Sequence, residues 1–106
     1  MKNEDSNRIV FLTLISGRKQ KDAILTALSE SGVQLLNVIY GKGTVKANYL
    51  QNILGFVPEV NKAVITGVLL QKKSDAIFYM LIEKFHFDKP NTGIAFTTPI
   101  EKLSFK

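Results

Sequence analysis

The chain predicts an α+β domain: a four-stranded antiparallel sheet with two helices on one of its faces. Three observations lead there. Short apolar runs rich in β-branched residues recur near residues 8, 33, 63 and 94. Between the first and second runs, and again between the third and fourth, the apolar period changes from that of a strand to that of a helix. The resulting order, strand, helix, strand, strand, helix, strand, is the split βαβ plan, which packs its helices together against the sheet.

The first strand is Arg8-Ile9-Val10-Phe11-Leu12-Thr13-Leu14-Ile15, and Ser16-Gly17 is expected to break it. From Lys19 to Ser31, Ala23, Ile24, Ala27 and Leu28 fall on one helical face, with Asp22 and Glu30 on the polar side. Gly32 follows as a left-handed stop. Val33 to Tyr40 is the second strand, ended by Gly41-Lys42-Gly43. The third strand, Ala63 to Leu70, leads into a second helix for which Ser74 is the expected N-cap. Ile77, Phe78, Leu81, Ile82 and Phe85 give that helix its apolar stripe, and Asp88 to Gly93 is turn chemistry. Ile94 to Thr98 is the fourth strand, closed by Pro99, and Ile100 to Lys106 reads as a fifth short strand or an arm.

With 106 residues the chain is read as a single domain over 1–106, with a flexible N-terminus at 1–7 and a long loop at 44–60. The absence of cysteine excludes disulfides and thiolate metal sites, and a single histidine, His86, leaves little for an imidazole site. No run approaches the roughly 18 apolar residues of a membrane span, and the polar start is no signal peptide; the expected location is the cytoplasm. No nucleophile elbow or cluster of bases is visible, so catalysis is not expected. The net charge of +5 attracts phosphates of any kind.

Both faces of the strands are apolar: Val10, Leu12 and Leu14 alternate with Ile9, Phe11 and Ile15, and Val64, Val68 and Leu70 with Ile65 and Leu69. A sheet face open to water alternates with polar residues instead. A second covering surface is therefore expected, and a closed homo-oligomer supplies one.

Two sequence features then meet that plan. Gly41-Lys42-Gly43 ends the second strand before a long loop, and Lys89-Pro90-Asn91-Thr92-Gly93-Ile94-Ala95-Phe96-Thr97-Thr98-Pro99-Ile100 joins the second helix to the last strand. Over about residues 8–103 the chain resembles the P-II nitrogen-regulatory signal-transduction proteins, in particular their divergent P-II-like members. The resemblance implies a ferredoxin-like βαββαβ subunit in a homotrimer, and an effector, ATP, ADP or AMP, bound in the clefts between subunits rather than a resident cofactor. It also implies control of a protein target, a transporter or an enzyme, through residues 44–60. Where the well-studied family members read Gly-Asp-Gly-Lys, this chain has Asn91-Thr92-Gly93-Ile94, and the paired arginines of their C-terminal loop are absent.

The candidate ligand-binding residues are Gly41, Gly43, Lys89, Thr92, Gly93 and Lys102. The glycines bring backbone N–H groups close to an anion, Thr92 adds a hydroxyl, and the lysines are point charges. Tyr49, Leu50, Ile53, Leu54 and Phe56 make the long loop unusually apolar: they pack on a neighbouring subunit, the favoured reading for the free protein, or form the candidate partner-docking patch. Arg18, Lys19 and Lys21 stand at the start of the first helix, against its dipole, as on an exposed surface or at an anion contact. The alternative is a nucleic-acid-binding module on the same plait; it expects aromatics on the two central strands, where the first and third strands offer only Phe11.

Overall fold

A computed structural model describes residues 8–41, 62–89, 92–102 and 104. The lead-in 1–7, Gly43, the 44–60 loop with Tyr49, Leu50, Ile53, Leu54 and Phe56, and Leu103, Phe105 and Lys106 lie outside the described residues. The elements are β1 (Ile9–Gly17), α1 (Lys21–Glu30), β2 (Gln34–Gly41), β3 (Lys62–Leu70), α2 (Ser74–Phe85) and β4 (Gly93–Pro99). A short 3₁₀ turn leads into each helix, Arg18–Gln20 before α1 and Gln71–Lys73 before α2. The strands form one sheet in the order β2-β3-β1-β4, with every pairing antiparallel. This is the ferredoxin-like βαββαβ plait.

Alternation along the two central strands builds the core. Val10, Leu12, Leu14 and Ser16 of β1 stand beside Leu69, Gly67, Ile65 and Ala63 of β3, and all eight are buried. Ile24, Ala27 and Leu28 of α1 and Ile77, Leu81 and Phe85 of α2 close over this face, so both helices lie on one side of the sheet. Ala23 and Ile82 fall outside the buried stripe; each helix meets the sheet over a narrower arc than its apolar residues span.

The opposite face carries Ile9, Phe11 and Ile15 of β1 and Val64, Val68 and Leu70 of β3, flanked by Ile39 of β2 and by Ile94 and Phe96 of β4. Ile39, Phe11 and Phe96 are 56%, 38% and 44% exposed. The apolar second face expected from the sequence is present on the described chain.

Several boundaries differ from expectation, each for a local reason. Ser16-Gly17 does not end β1: Ser16 pairs with Ala63 and Gly93, and Gly17 with Lys62. The buried Ser16 hydroxyl donates to the Gly17 carbonyl at 3.1 Å, so a polar side chain is accommodated in the core. Ser74 is not an N-cap, because the 3₁₀ turn places Lys73 there, without a side-chain cap. The first helix likewise starts at Lys21 rather than Lys19. Pro99 lies inside β4, an edge strand with a free side that tolerates the missing N–H. Ile100 to Lys102 are not a strand, although the Ile100 N–H donates to the Ile9 carbonyl at 3.3 Å.

Gly32 takes φ +94 after α1, the left-handed stop the sequence predicts. At the end of α2 the same conformation falls on His86, φ 62, whose N–H donates to the Ile82 carbonyl. Leu35 is also left-handed, φ 54, within the irregularity that shifts the β2 register between Gln34 and Asn37. Its partner strand accommodates the bulge with Gly67, where a Cβ would lie 2.6 Å from Val33 Cγ1 and 3.1 Å from the Gln34 carbonyl.

Gly67→Ala is therefore expected to destabilise the chain by about 1–3 kcal/mol through overpacking. Urea denaturation measures this; combining it with Val33→Ala should cost less than the sum of the single changes, since the closest clash is between these two positions.

Candidate functional site

The antiparallel order sends the chain back and forth between two ends of the sheet, and the candidate residues divide between them. At one end β1 finishes in Gly17, β2 finishes in Gly41, β3 begins at Lys62 and β4 begins at Gly93. Gly41 pairs with Lys62, and Lys62 with Gly17. The long loop leaves and re-enters here, the 3₁₀ turn Arg18–Gln20 starts here, and α2 delivers residues 86–89 and Thr92 here. Gly41, Lys89, Thr92 and Gly93 thus share one end. Lys102 does not: it follows Pro99 and Ile100, which meet Val10 and Ile9 at the far end of β1.

The local geometry gives some of these residues structural work. The Thr92 hydroxyl reaches two carbonyls of its own loop, those of His86 and Lys89, the latter at 2.9 Å. Lys89 also donates its backbone N–H to His86 at 2.9 Å, so this loop is closed by its own hydrogen bonds. Gly93 is buried beneath Phe87, and a Cβ there would collide with the ring. Across the sheet the same row runs Tyr40, Ala63, Ser16, Gly93. Three small residues in succession leave the helix face shallow at this end, and Phe87 occupies the space over Gly93.

The β2 edge of this end is cationic and aromatic. Tyr40 is half-exposed at the end of β2, and the Arg18 guanidinium sits 4.5 Å from the centre of its ring. The Lys21 ammonium is 5.6 Å from the same centre and 2.8 Å from Asp22 Oδ1. The hydrogen bonds that the Lys21 ammonium donates, first to Asp22 and then to Tyr40, raise it above its ordinary pKa. The sequence singled out Arg18, Lys19 and Lys21 but not Tyr40 or Lys62. Tyr40 looked like an ordinary strand residue, and only the register shows that its side faces the turn before α1.

Among the described residues no group of three or more His, Asp or Glu side chains could hold a metal ion, and no helix is long and apolar enough to cross a membrane.

No family model and no curated protein matches the sequence. Solved structures do match its fold. CPII from Thiomonas intermedia K12, in a structure bound to ADP, AMP and acetate, superposes with a TM-score of 0.66 at 13% identity, over 87% of this chain and 85% of that one. PII from Arabidopsis thaliana, bound to citrate, gives a TM-score of 0.62 at 15% identity over 89% and 78%. A Bacillus cereus protein related to NIF3 gives 0.67 at 9% identity, over 91% of this chain but 26% of its own. The fold is that of the PII-like nitrogen regulatory proteins, and it also occurs within a larger protein of another description.

Gly93→Ala is expected to lower stability by about 1–3 kcal/mol. In a double-mutant cycle with Phe87→Leu, a coupling of about 0.5 kcal/mol or more identifies the ring contact as the cause; additive losses would assign Gly93 another role.

Proposed function

We propose that this chain is a PII-like regulatory protein that senses a small anionic metabolite, an adenine nucleotide first among them, and reports it to a protein target through residues 44–60. The observation that carries the reading is the convergence at one sheet end. Both anchors of the long loop, the Lys89–Gly93 segment and the basic turn before α1 meet there, on a fold whose solved examples hold ADP, AMP and citrate. Ligand-dependent ordering of a loop anchored at that point is a sufficient switch.

The reading includes a homotrimer assembled through the open sheet face and located in the cytoplasm. Its support is the apolar face itself, which carries exposed Phe11, Ile39 and Phe96. It also resolves the position of Lys102, which reaches the ligand end only from a neighbouring copy. Gly41, Gly43, Lys89, Thr92 and Gly93 serve the cleft from within one subunit, with Thr92 and Gly93 acting mainly by shaping their loop. Tyr49, Leu50, Ile53, Leu54 and Phe56 form the docking patch. The role is binding and regulation rather than catalysis, with no resident cofactor.

The nucleic-acid alternative finds little on the open face. The central strands place one aromatic there, Phe11, and their one lysine, Lys62, stands at the very end.

Light scattering should give the mass of three chains. A thermal-shift series with ATP, ADP, AMP, citrate and a short RNA should show stabilisation by a nucleotide, of about 2.7 kcal/mol at roughly 100 times Kd. A monomer, or a response to RNA alone, would overturn the reading.

A further inference from the structure

The basic residues that open the two helices have different surroundings. Cations at a helix start oppose the dipole, so each needs an offset. Lys73, before α2, has one inside the fold. Its side chain lies over Gly32, close enough that a Cβ there would fall 2.5 Å from Nζ. That places its ammonium at the C-terminal end of α1, where unpaired carbonyls favour a cation.

Arg18 has no such offset. Its described side-chain contact is the face of Tyr40, and α1 carries no side-chain N-cap. Lys21 leans on the same ring and is paired with Asp22, the acidic residue of the first turn. That pairing is lopsided: the Lys21 side chain is 22% exposed and that of Asp22 is 88% exposed. Two cations are therefore held against one aromatic ring by an exposed carboxylate and by quadrupole attraction. A guanidinium held against a ring face uses none of its N–H groups on the ring plane's edge, and arginine forks onto a phosphate through such N–H groups. Tyr40 immediately precedes Gly41, from which the long loop departs.

We propose that Arg18 and Lys21, positioned by Tyr40, form an oxyanion subsite that takes the phosphate-bearing end of the ligand. This rests on the reading of the chain as a nucleotide sensor and deepens it. Asp22 faces the same ammonium and opposes an incoming anion.

Calorimetric titration of the full chain with ADP, adenosine and inorganic pyrophosphate tests this, with thermal melts confirming that each variant folds. Arg18→Gln and Lys21→Gln should each weaken ADP and pyrophosphate about tenfold and leave adenosine unchanged, as loss of a charge-assisted hydrogen bond requires. Tyr40→Phe should keep the stack and most of the affinity, whereas Tyr40→Ala should lose it. Asp22→Asn should bind pyrophosphate more tightly. If wild type binds ADP and the Arg18 and Lys21 variants match it, the subsite is wrong while the sensor reading stands. If wild type binds pyrophosphate in an Arg18-dependent way but no nucleotide, the subsite stands and the nucleotide reading falls. Binding of neither ligand by wild type overturns both.

Discussion

The alternation of β1 is the constraint from which the rest of the structure follows. This strand is paired on both sides, with β3 and β4, and its register sends Val10, Leu12, Leu14 and Ser16 under the helices. A slip of one residue would turn Ile9, Phe11 and Ile15 inward and exchange the two faces. Because both faces are apolar, hydrophobicity alone discriminates poorly between these registers. Shape does the discriminating. Gly67 admits the β2 bulge beside Leu12, and Gly93 admits Phe87 beside Ser16. Neither fit survives a shift by one position.

That same register concentrates the site. With every pairing antiparallel, each odd turn of the chain falls at one end of the sheet, so Gly17, Gly41, Lys62 and Gly93 come together without being near in sequence. The end then divides into two halves. The Phe87–Gly93 half is tightly fitted and internally hydrogen-bonded, which suits a rigid wall. The Arg18–Tyr40–Lys21 half is held by exposed charge and ring contacts, which are individually weak.

The sequence was most informative where period and burial agree. Six elements in the right order, the two helices and the unusual second face could all be read from apolar spacing. Boundaries failed where backbone hydrogen bonding overrode composition. Ser16-Gly17 looks like a break, but two neighbours extend the ladder through it. Ser74 looks like a cap, but the 3₁₀ turn makes it the first helical residue. At the site, the sequence offers Gly93 as a ligand-binding glycine on the strength of its sequence neighbours. Its collision with Phe87 depends on how the loop folds back, and spacing carries no trace of that. Tyr40 is not singled out by the sequence for the complementary reason: its partners, Arg18 and Lys21, are remote in sequence and come to it through the fold.

The likeness of fold to both PII proteins and a NIF3-related protein locates where a functional argument has to be made. A plait supplies a sheet, two helices and two sets of turns, and these are common to all of its users. What differs is which end is charged, which glycines are forced by packing, and which face is left apolar. In this chain the far-end lysine Lys73 is accounted for by the C-terminus of α1, and Gly93 by Phe87. Residues with an internal reason are poor markers of a ligand. The markers that remain are those the fold itself does not need: Arg18 laid on Tyr40 against a helix dipole, and an open face with two exposed phenylalanines. The proposed anion subsite accounts for the first, and the proposed homotrimer accounts for the second.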